Sequence, residues 1–296
     1  MPENVVNIGA GRFKHVELGD IQVTTVTDGV RNFPLPDGFI LNATREEINA
    51  ALTGAALPAD EMTIPFNPVV VTTGSHRVLI DAGNGAQAAL APGATNGLLM
   101  ASLAAASIDP SSIDVVIISH FHGDHVMGLV APEGGSAFPR AKIVVPAPEW
   151  NFWMDDSEMA RAQAGRMAQL FQANRRVFGV VGQQVSQYSW GEEILPGITA
   201  VGTPGHTIGH TSFVIASGSQ RMFVQSDLTN NPALFMPNPG WHAAFDQDAI
   251  QAEATRRSTL DMLAEQKMLV QGFHFPFPSR GYIEKRGAGY RLIPSD

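Results

Sequence analysis

The sequence has no cysteine among its 296 residues. Disulfides, a thiolate nucleophile and Cys-held zinc are therefore excluded, and the chain suits either redox state. Charge is also sparse: 16% of residues are Asp, Glu, Lys or Arg, with 19 basic against 28 acidic side chains and a net charge of −9. No run of basic residues is present, so a nucleic-acid surface is not expected. No stretch approaches about 20 uninterrupted apolar residues, so no membrane span is expected either. The opening "MPENVVNIGAGRFKHVELGD" lacks a basic start followed by an apolar segment. On that reading no secretory signal is visible and a cytoplasmic location is expected, although a trimmed leader would leave the same start. No G-x-S-x-G occurs, and nothing points to a Ser-His-Asp nucleophile.

What is present is an ordinary globular composition, 44% apolar, enough for a sizeable core. No low-complexity linker divides it, and residues 1–296 read as one domain. "DIQVTTVTDG" alternates and ends in a turn pair, a strand signature. "RNFPLPDGF" reads as a loop. "TREEINAALTGAAL" places Thr44 three residues before Glu47, a capping-box helix start. "NPVVVTTGSHRVLIDAGNG" reads as two strands about a turn at Gly74 and Ser75, residues 96–107 as a short helix, and "IDVVIIS" as a buried strand. "KIVV" is a further strand. Residues 147–178 read as one mostly helical stretch, with Ala160, Ala164, Met167, Phe171 and Phe178 near helical spacing. "GITAVGTPGH" ends another strand, "TSFVIASGSQRMFVQSD" is a hairpin turning at Gly218, residues 246–267 are a helix, and "MLVQGFH" is a strand. Two strand-rich halves that each carry helices suggest an α/β architecture of two sheets with helices outside them.

Polar residues gather where these apolar runs end. "SHFHGDHVMG" puts His120, His122, Asp124 and His125 within six residues, directly after a buried strand. His206 lies in "TPGHTIGH", Asp227 ends "FVQSD", and His274 lies in "GFHFPFP". Imidazole and carboxylate suit a borderline divalent ion such as zinc. Two ions need roughly six or seven protein ligands, with one carboxylate able to bridge. These five histidines and two aspartates meet that need.

"HFHGDH" resembles the H-x-H-x-D-H signature of the metallo-β-lactamase superfamily. "LIDAG", "TPGHTIGH", "SD" and the distant "GFH" resemble its other motifs, in the same order over nearly the whole chain. The resemblance implies an αββα sandwich, the metallo-β-lactamase fold, with two mixed sheets and the site at their edges. It implies that His120, His122 and His206 hold one divalent ion, that Asp124, His125 and His274 hold a second, and that Asp227 bridges them. Zinc is the default expectation, with manganese, cobalt or iron as alternatives. Within the superfamily, "GRFKHVELGDIQVTTVTDG", "FPRAKIVVPAPEWNFW" and "FHFPFPSRGYIEKRGAGYRLIP" resemble methyl parathion hydrolases and their lactonase relatives. Quorum-quenching acyl-homoserine lactonases share the metal pattern, but carry a Tyr soon after the bridging Asp where this chain reads "DLTNN". A true β-lactamase is disfavoured. Its Cys-containing subclasses are excluded, and the remaining subclass lacks the carboxylate that Asp227 supplies.

The resemblance implies a dinuclear metal-dependent hydrolase of neutral lactones or aryl esters. The alternative is an organophosphate triester hydrolase of the methyl parathion hydrolase type. In either, a hydroxide bridging two dications attacks the electrophile, since zinc alone lowers the pKa of bound water to about 7. Asp124 and Asp227 are the catalytic candidates: both orient the hydroxide, and Asp124 passes the proton to the leaving group. A non-catalytic metal protein of this fold would show gaps in the ligand set, and there are none. Asp81 in "LIDAG" is expected to form a turn or to hold a ligand imidazole by its free N–H, and His210 to be structural. His15 and His76 are read as ordinary histidines. Trp153 is the foremost candidate for a substrate pocket, followed by Phe66, Phe235, Trp241, His242 and Phe275, with Met236 weaker. Arg280 is the sole basic candidate near the motifs, so an uncharged substrate is expected. The expected partner is a small neutral ester, lactone or phosphotriester; a homodimer is left open.

Overall fold

The computed structural model describes residues 11–162 and 164–295. The first half of the chain forms β1 (Phe13–Leu18), β2 (Ile21–Val26), β3 (Gly29–Pro34), α1 (Arg45–Gly54), β4 (Glu61–Phe66), β5 (Val69–Thr73), β6 (His76–Ile80), α2 (Leu99–Ala105), β7 (Val115–Ile117), α3 (Gly123–Val126), β8 (Lys142–Pro146), α4 (Ala147–Trp153), α5 (Asp156–Arg161), α6 (Arg166–Val181) and β9 (Val185–Tyr188). The second half forms β10 (Glu193–Leu195), β11 (Ile198–Gly202), β12 (Thr211–Ser217), β13 (Gln220–Ser226), α7 (Pro232–Phe235), α8 (Ala249–Gln266), β14 (Leu269–Gly272), β15 (Arg280–Arg286) and β16 (Gly289–Pro294).

Two seven-stranded sheets result, in the orders β1-β2-β5-β6-β7-β8-β9 and β10-β11-β12-β13-β14-β15-β16. Both are mixed: β6 to β9 pair in parallel, as do β13 and β14, and the remaining neighbours are antiparallel. Side chains alternate across each strand, so every strand feeds two cores. Val71, Val78, Ile80 and Ile117 of one sheet meet Ile198, Phe213, Ile215 and Val224 of the other in the central layer. On the outer face of the first sheet, Val70, Leu79, Val116 and Ile143 pack under Leu103 of α2, Trp153 of α4 and Phe171 of α6. On the outer face of the second, Phe223, Val270 and Ile283 pack under Leu260 and Leu263 of α8. The layering is the αββα sandwich of the metallo-β-lactamase fold. Among the described residues no helix is long and apolar enough to cross a membrane.

The strong periodic signals became the expected elements. Thr44 caps α1 by accepting from Glu47, whose own side chain reaches back in a full capping box. The β5–β6 and β12–β13 hairpins turn at Gly74 and Gly218, both at positive φ. Three readings need correction. "RNFPLPDGF" is not wholly a loop: Gly29–Pro34 forms β3, which pairs with β4 as a separate two-stranded ribbon. The stretch 147–178 is three helices. Asp155 caps α5 by accepting from Ser157 and Glu158, and Gly165 at φ +81° precedes α6. The strands β1, β9, β10, β15 and β16 had no strong alternating signal, because several lie at sheet edges with one face open to water.

The ribbon β3–β4 stands over the open edge of the sandwich. A satellite core of Leu35, Phe39, Ile48, Leu52, Met62 and Phe235 joins it to α1 and α7. The parallel strands all deliver their C-terminal ends to this same edge, which brings Asp81, His120, Asp227 and His274 together. Gly128, just after α3, lies against the loop that follows β6. A Cβ on Gly128 would come within 1.8 Å of the Ala82 carbonyl oxygen. The backbone is locked there by Ala82 N–H donating to His125 O at 2.8 Å and Gly128 N–H donating to Gly83 O at 3.1 Å. Gly128→Ala is therefore expected to lower the unfolding free energy by about 1–3 kcal/mol, an overpacking cost. Urea denaturation compared with Met127→Ala, whose side chain is partly exposed, measures it; equal midpoints would refute the close-approach reading.

Candidate metal centre

Three loops, one short helix and one strand end converge at the edge beneath the ribbon. After β7, Ser119 leads into the turn that carries His120 and His122, and α3 follows with Asp124 and His125. The loop from β11 to β12 supplies His206, the end of β13 supplies Asp227, and the segment after β14 supplies His274. Their donor atoms form two groups, His120–His122–His206–Asp227 and Asp124–His125–Asp227–His274, each within a span of 4.8 Å. Asp227 belongs to both. Within the first group, His122 Nδ1 lies 2.9 Å from His206 Nε2 and 3.1 Å from His120 Nε2. Around Asp227, His274 Nε2 is at 3.0 Å, His125 Nε2 at 3.3 Å and His206 Nε2 at 3.4 Å.

Such spacings fit a cation between the donors: two nitrogens bound tetrahedrally at 2.0–2.1 Å would lie roughly 3.3 Å apart. The donor atoms also need one. His125 Nε2 and Asp227 Oδ1 are buried with no hydrogen-bond partner, an arrangement that is costly unless something else fills it. The electrostatics agree. Burial and the neighbouring imidazoles push His120 and His122 well below the usual histidine range. Burial pulls His125 down too, but Asp81, Asp227 and Asp124 outweigh it and raise it well above that range. His206 is likewise pulled down by burial yet pushed up to about 9 by Asp227 and Asp246. Burial opposes the charge on Asp227, but His274 and His125 hold its carboxyl well below the usual carboxylate range. The residues present fit divalent ions.

Each imidazole is aimed by what its other nitrogen touches. His125 Nδ1 meets Asp81 Oδ2 at 2.8 Å, and Asp81 also accepts from the amide and hydroxyl of Ser119. His206 Nδ1 meets Asp246 Oδ1 at 2.8 Å, and His274 Nδ1 donates to the Pro65 carbonyl at 2.8 Å. The role of Asp246 was not legible in sequence; it follows a turn 40 residues from His206 with no motif around it. His210 lies on the far side of Asp227. Its Nε2 accepts from the Asp227 backbone N–H at 3.0 Å and its Nδ1 donates to the Thr203 carbonyl. Burial depresses His210 to about 3, so the ring stays neutral and able to accept.

The substrate-pocket expectations need more revision. A cavity of about 480 Å³ opens over the donors. Phe66 lines it, with its ring 5.5 Å from His274. Trp153 does not. It is fully buried under α4, packed on Phe171, with its indole N–H bonded to Glu149. Phe235 is buried in the satellite core with the Arg256 guanidinium over its ring at 4.7 Å, and Trp241 packs against the same core. Phe275 is buried in the α8 layer, as is Met236. His242 meets Glu253 at 2.8 Å, away from the cavity. Arg280 is buried and donates to the His15 carbonyl. Trp153 and Phe235 failed as lining residues because the phase of α4 and α7 turns them inward, and Trp241, His242 and Phe275 because the loops that carry them lead them away from the cavity. The walls come instead from the ribbon (Phe33, Ile64), from Phe39 and Phe245, and from Leu170 of α6. The expectation that no basic residue approaches the motifs is also corrected, for Arg31 of β3 and Arg166 of α6 line the cavity. Asn230, within the "DLTNN" stretch, lines it beside Asp227.

Glu149 is the residue that sequence reading missed most completely. It is fully buried in α4, and burial raises its carboxyl above the usual range. One oxygen accepts from the Gly209 amide at 2.7 Å; the other accepts from the Phe121 amide at 2.9 Å and the Trp153 indole at 2.8 Å. Phe121 lies between His120 and His122, and Gly209 lies between His206 and His210. One carboxylate thus ties together the two loops that carry three of the donors. Each buried donor left unpaired costs about 1–3 kcal/mol. Glu149→Leu is therefore expected to lose about 3 kcal/mol or more of stability, and Glu149→Gln less, because one amide oxygen still accepts. Urea unfolding together with metal content after dialysis checks this; an unchanged midpoint in Glu149→Leu would remove the clamp.

Comparison with known proteins agrees with this geometry. Residues 66–270 match the model of the metallo-beta-lactamase superfamily. A ribonuclease Z from Pyrobaculum calidifontis is 34% identical over 96 residues, 32% of this chain, and the matched region spans only 29% of that relative. Among solved structures, AidC, a dizinc quorum-quenching lactonase in complex with the product N-hexanoyl-L-homoserine, superposes with a TM-score of 0.88 at 25% identity, covering 96% of this chain and 97% of that one. The hydrolase AbOPH superposes with a TM-score of 0.87 at 22% identity, covering 97% and 98%; at that identity the likeness is one of fold. With its family match, its sandwich and its paired donor groups, the chain belongs to the metallo-β-lactamase superfamily.

Proposed function

We propose that this protein is a dinuclear metal-dependent hydrolase of lactones or aryl esters. The observation that carries the reading is the pair of donor groups sharing Asp227 at the floor of an apolar-walled cavity. The likeness over nearly the whole chain to a dizinc lactonase supports it. His120, His122 and His206 would hold one ion, Asp124, His125 and His274 the other, and Asp227 would bridge. Zinc is the ion proposed. Bound there, the ions would supply Lewis acidity and bring the pKa of water to about 7, as zinc does elsewhere.

The chain's own residues divide the remaining work. Asp227, with a side chain only 3% exposed, is positioned for structure and spacing, whereas the Asp124 side chain is 24% exposed. Asp124 is therefore the carboxylate free to take a proton from the attacking water and return it to the leaving oxygen. Asn230 belongs to the "DLTNN" stretch that begins at Asp227, and it lines the cavity. Its Oδ1 is buried without a partner, and its amide group is the polar side chain at hand to meet an oxygen of the substrate. Phe33, Phe39, Phe66 and Phe245 remove apolar surface of the substrate from water, each Å² contributing roughly 25 cal/mol.

Elemental analysis of protein purified without chelator is expected to give about two divalent ions per chain; a reproducible value of one at full activity would end the dinuclear reading. In a hydrolysis panel, dihydrocoumarin or N-hexanoyl homoserine lactone is expected to outpace benzylpenicillin in kcat/KM. A preference for paraoxon would favour the phosphotriesterase reading instead. Asp227→Asn is expected to lose about 10²-fold or more in kcat/KM. His210→Ala removes the acceptor behind the Asp227 amide and the bond to Thr203 but no member of the donor groups, so about 10-fold is expected. Comparable losses in both, with metal content retained, would contradict the bridging role.

A further inference from the structure

We propose that Arg31 and Arg166 make the mouth of the cavity an anion-reading site, so that the preferred ester or lactone carries a carboxylate away from its scissile bond. The proposal rests on the dinuclear hydrolase reading and adds the chemical class of its substrate. Arg31 projects from the ribbon strand β3 and Arg166 from the first turn of α6, and both line the cavity over the donor groups.

Charge balance carries the argument. The cavity lining includes two carboxylates, Asp124 and Asp227, and both belong to the donor groups. Asp81 and Asp246 stand behind two of the donor imidazoles, so four carboxylates answer two divalent ions and the centre itself is close to neutral. Neither arginine forms an ion pair among the described residues; Arg31 stacks over Phe33, with its guanidinium carbon 5.6 Å from the ring centroid. The excess positive charge of the occupied cavity would thus come from the two guanidiniums at its mouth, on a chain whose overall charge is −9. Elsewhere basic side chains near the site are answered locally: Arg256 faces Asp246 at 3.5 Å and donates to the Pro239 and Trp241 carbonyls. Arg31 and Arg166 make no such close ion pair, although Asp124 and Asp246 act on Arg166 at longer range, and both arginines line the cavity. A planar guanidinium matches a carboxylate with two parallel N–H bonds, and an apolar chain between that carboxylate and the scissile carbonyl would lie along Phe33, Ile64 and Leu170. The two guanidiniums at the mouth would also steer an anion toward it.

The test compares each anionic substrate with its own methyl ester, at low and high salt, on metal-loaded enzyme. One pair carries the charge on the acyl side, mono-4-nitrophenyl adipate against its methyl ester. The other carries it on the leaving group, 4-carboxyphenyl hexanoate against its methyl ester. At least one acid is expected to be preferred by about 10-fold in kcat/KM, with the preference shrinking as salt rises. Arg166→Gln and Arg31→Gln should each reduce that ratio, and Arg166→Lys should retain part of it. Calorimetric binding of adipate against hexanoate supplies a readout that needs no turnover: adipate should bind about 10-fold tighter, and the margin should vanish in the double Arg→Gln variant. Parity in both substrate pairs together with equal binding of the two acids overturns the proposal. Tighter adipate binding without turnover of any ester would leave the anion site standing and sink the ester reading.

Discussion

A buried carboxylate surrounded by imidazoles is the constraint around which this structure is arranged. Asp227 is removed from water at the end of β13, with its Oδ1 unpartnered and three imidazole nitrogens within 3.4 Å. A lone charge in that position would be prohibitively expensive. The surrounding atoms make sense only as a set that collectively offsets it. Asp81 and Asp246 orient two of the rings, a main-chain carbonyl orients a third, and His210 supports the carboxylate from behind through its amide. Remove the demand for a cation and the cluster becomes a liability to folding; satisfy it, and the same groups hold one another in place.

That set could not be assembled by one segment of chain. His120, His122, Asp124 and His125 come from the first sheet, and His206, Asp227 and His274 from the second. The interface between the sheets is filled by aliphatic side chains that resist sliding but specify no particular offset at the ångström level. Directional bonds supply the registration. Thr211 N–H donates to Ser119 O across the sheets at the foot of the site, and Glu149 receives amides from both halves. The close approach of Gly128 to Ala82 fixes the third loop. The cost of burying Glu149, visible in its raised pKa, is offset by the bonds it accepts from the two donor-bearing loops.

The fold class and the meeting of seven His and Asp side chains were legible in the sequence for the same reason: both follow from short patterns at the ends of apolar runs. Apolar runs that end in His or Asp mark a buried strand delivering a polar group to an edge, and "HFHGDH" compresses four donors into six residues. The substrate pocket was not readable, because its lining is defined by which way a side chain faces. Trp153 and Phe275 are aromatic and near the motifs, yet the phase of α4 turns the first into the core and the bend after β14 turns the second. Arg31 and Phe33 lie in a segment whose Pro and Gly content reads as loop, and only pairing with β4 reveals it as a wall. Glu149 and Asp246 carry no local signal at all; a buried acid surrounded by amides looks like any other acid in sequence.

The ribbon β3–β4 pairs with neither seven-stranded sheet. Its backbone ladder is its own, and its attachments are the satellite core, the Gly29 contact with Thr95 and Asn96, and the Pro65 carbonyl beneath His274. The wall that faces the ligand is thereby separable from the floor that holds the donors. Phe33 and Ile64 on its cavity side can be exchanged without disturbing a strand of either sheet or a donor, provided Pro65 keeps its carbonyl and Phe66 its ring against His274. Such a division allows a lineage to keep one centre while trialling new substrates by drift in the two short strands of the ribbon, and it makes residues 29–66, ribbon and α1 together, the natural segment to graft between relatives.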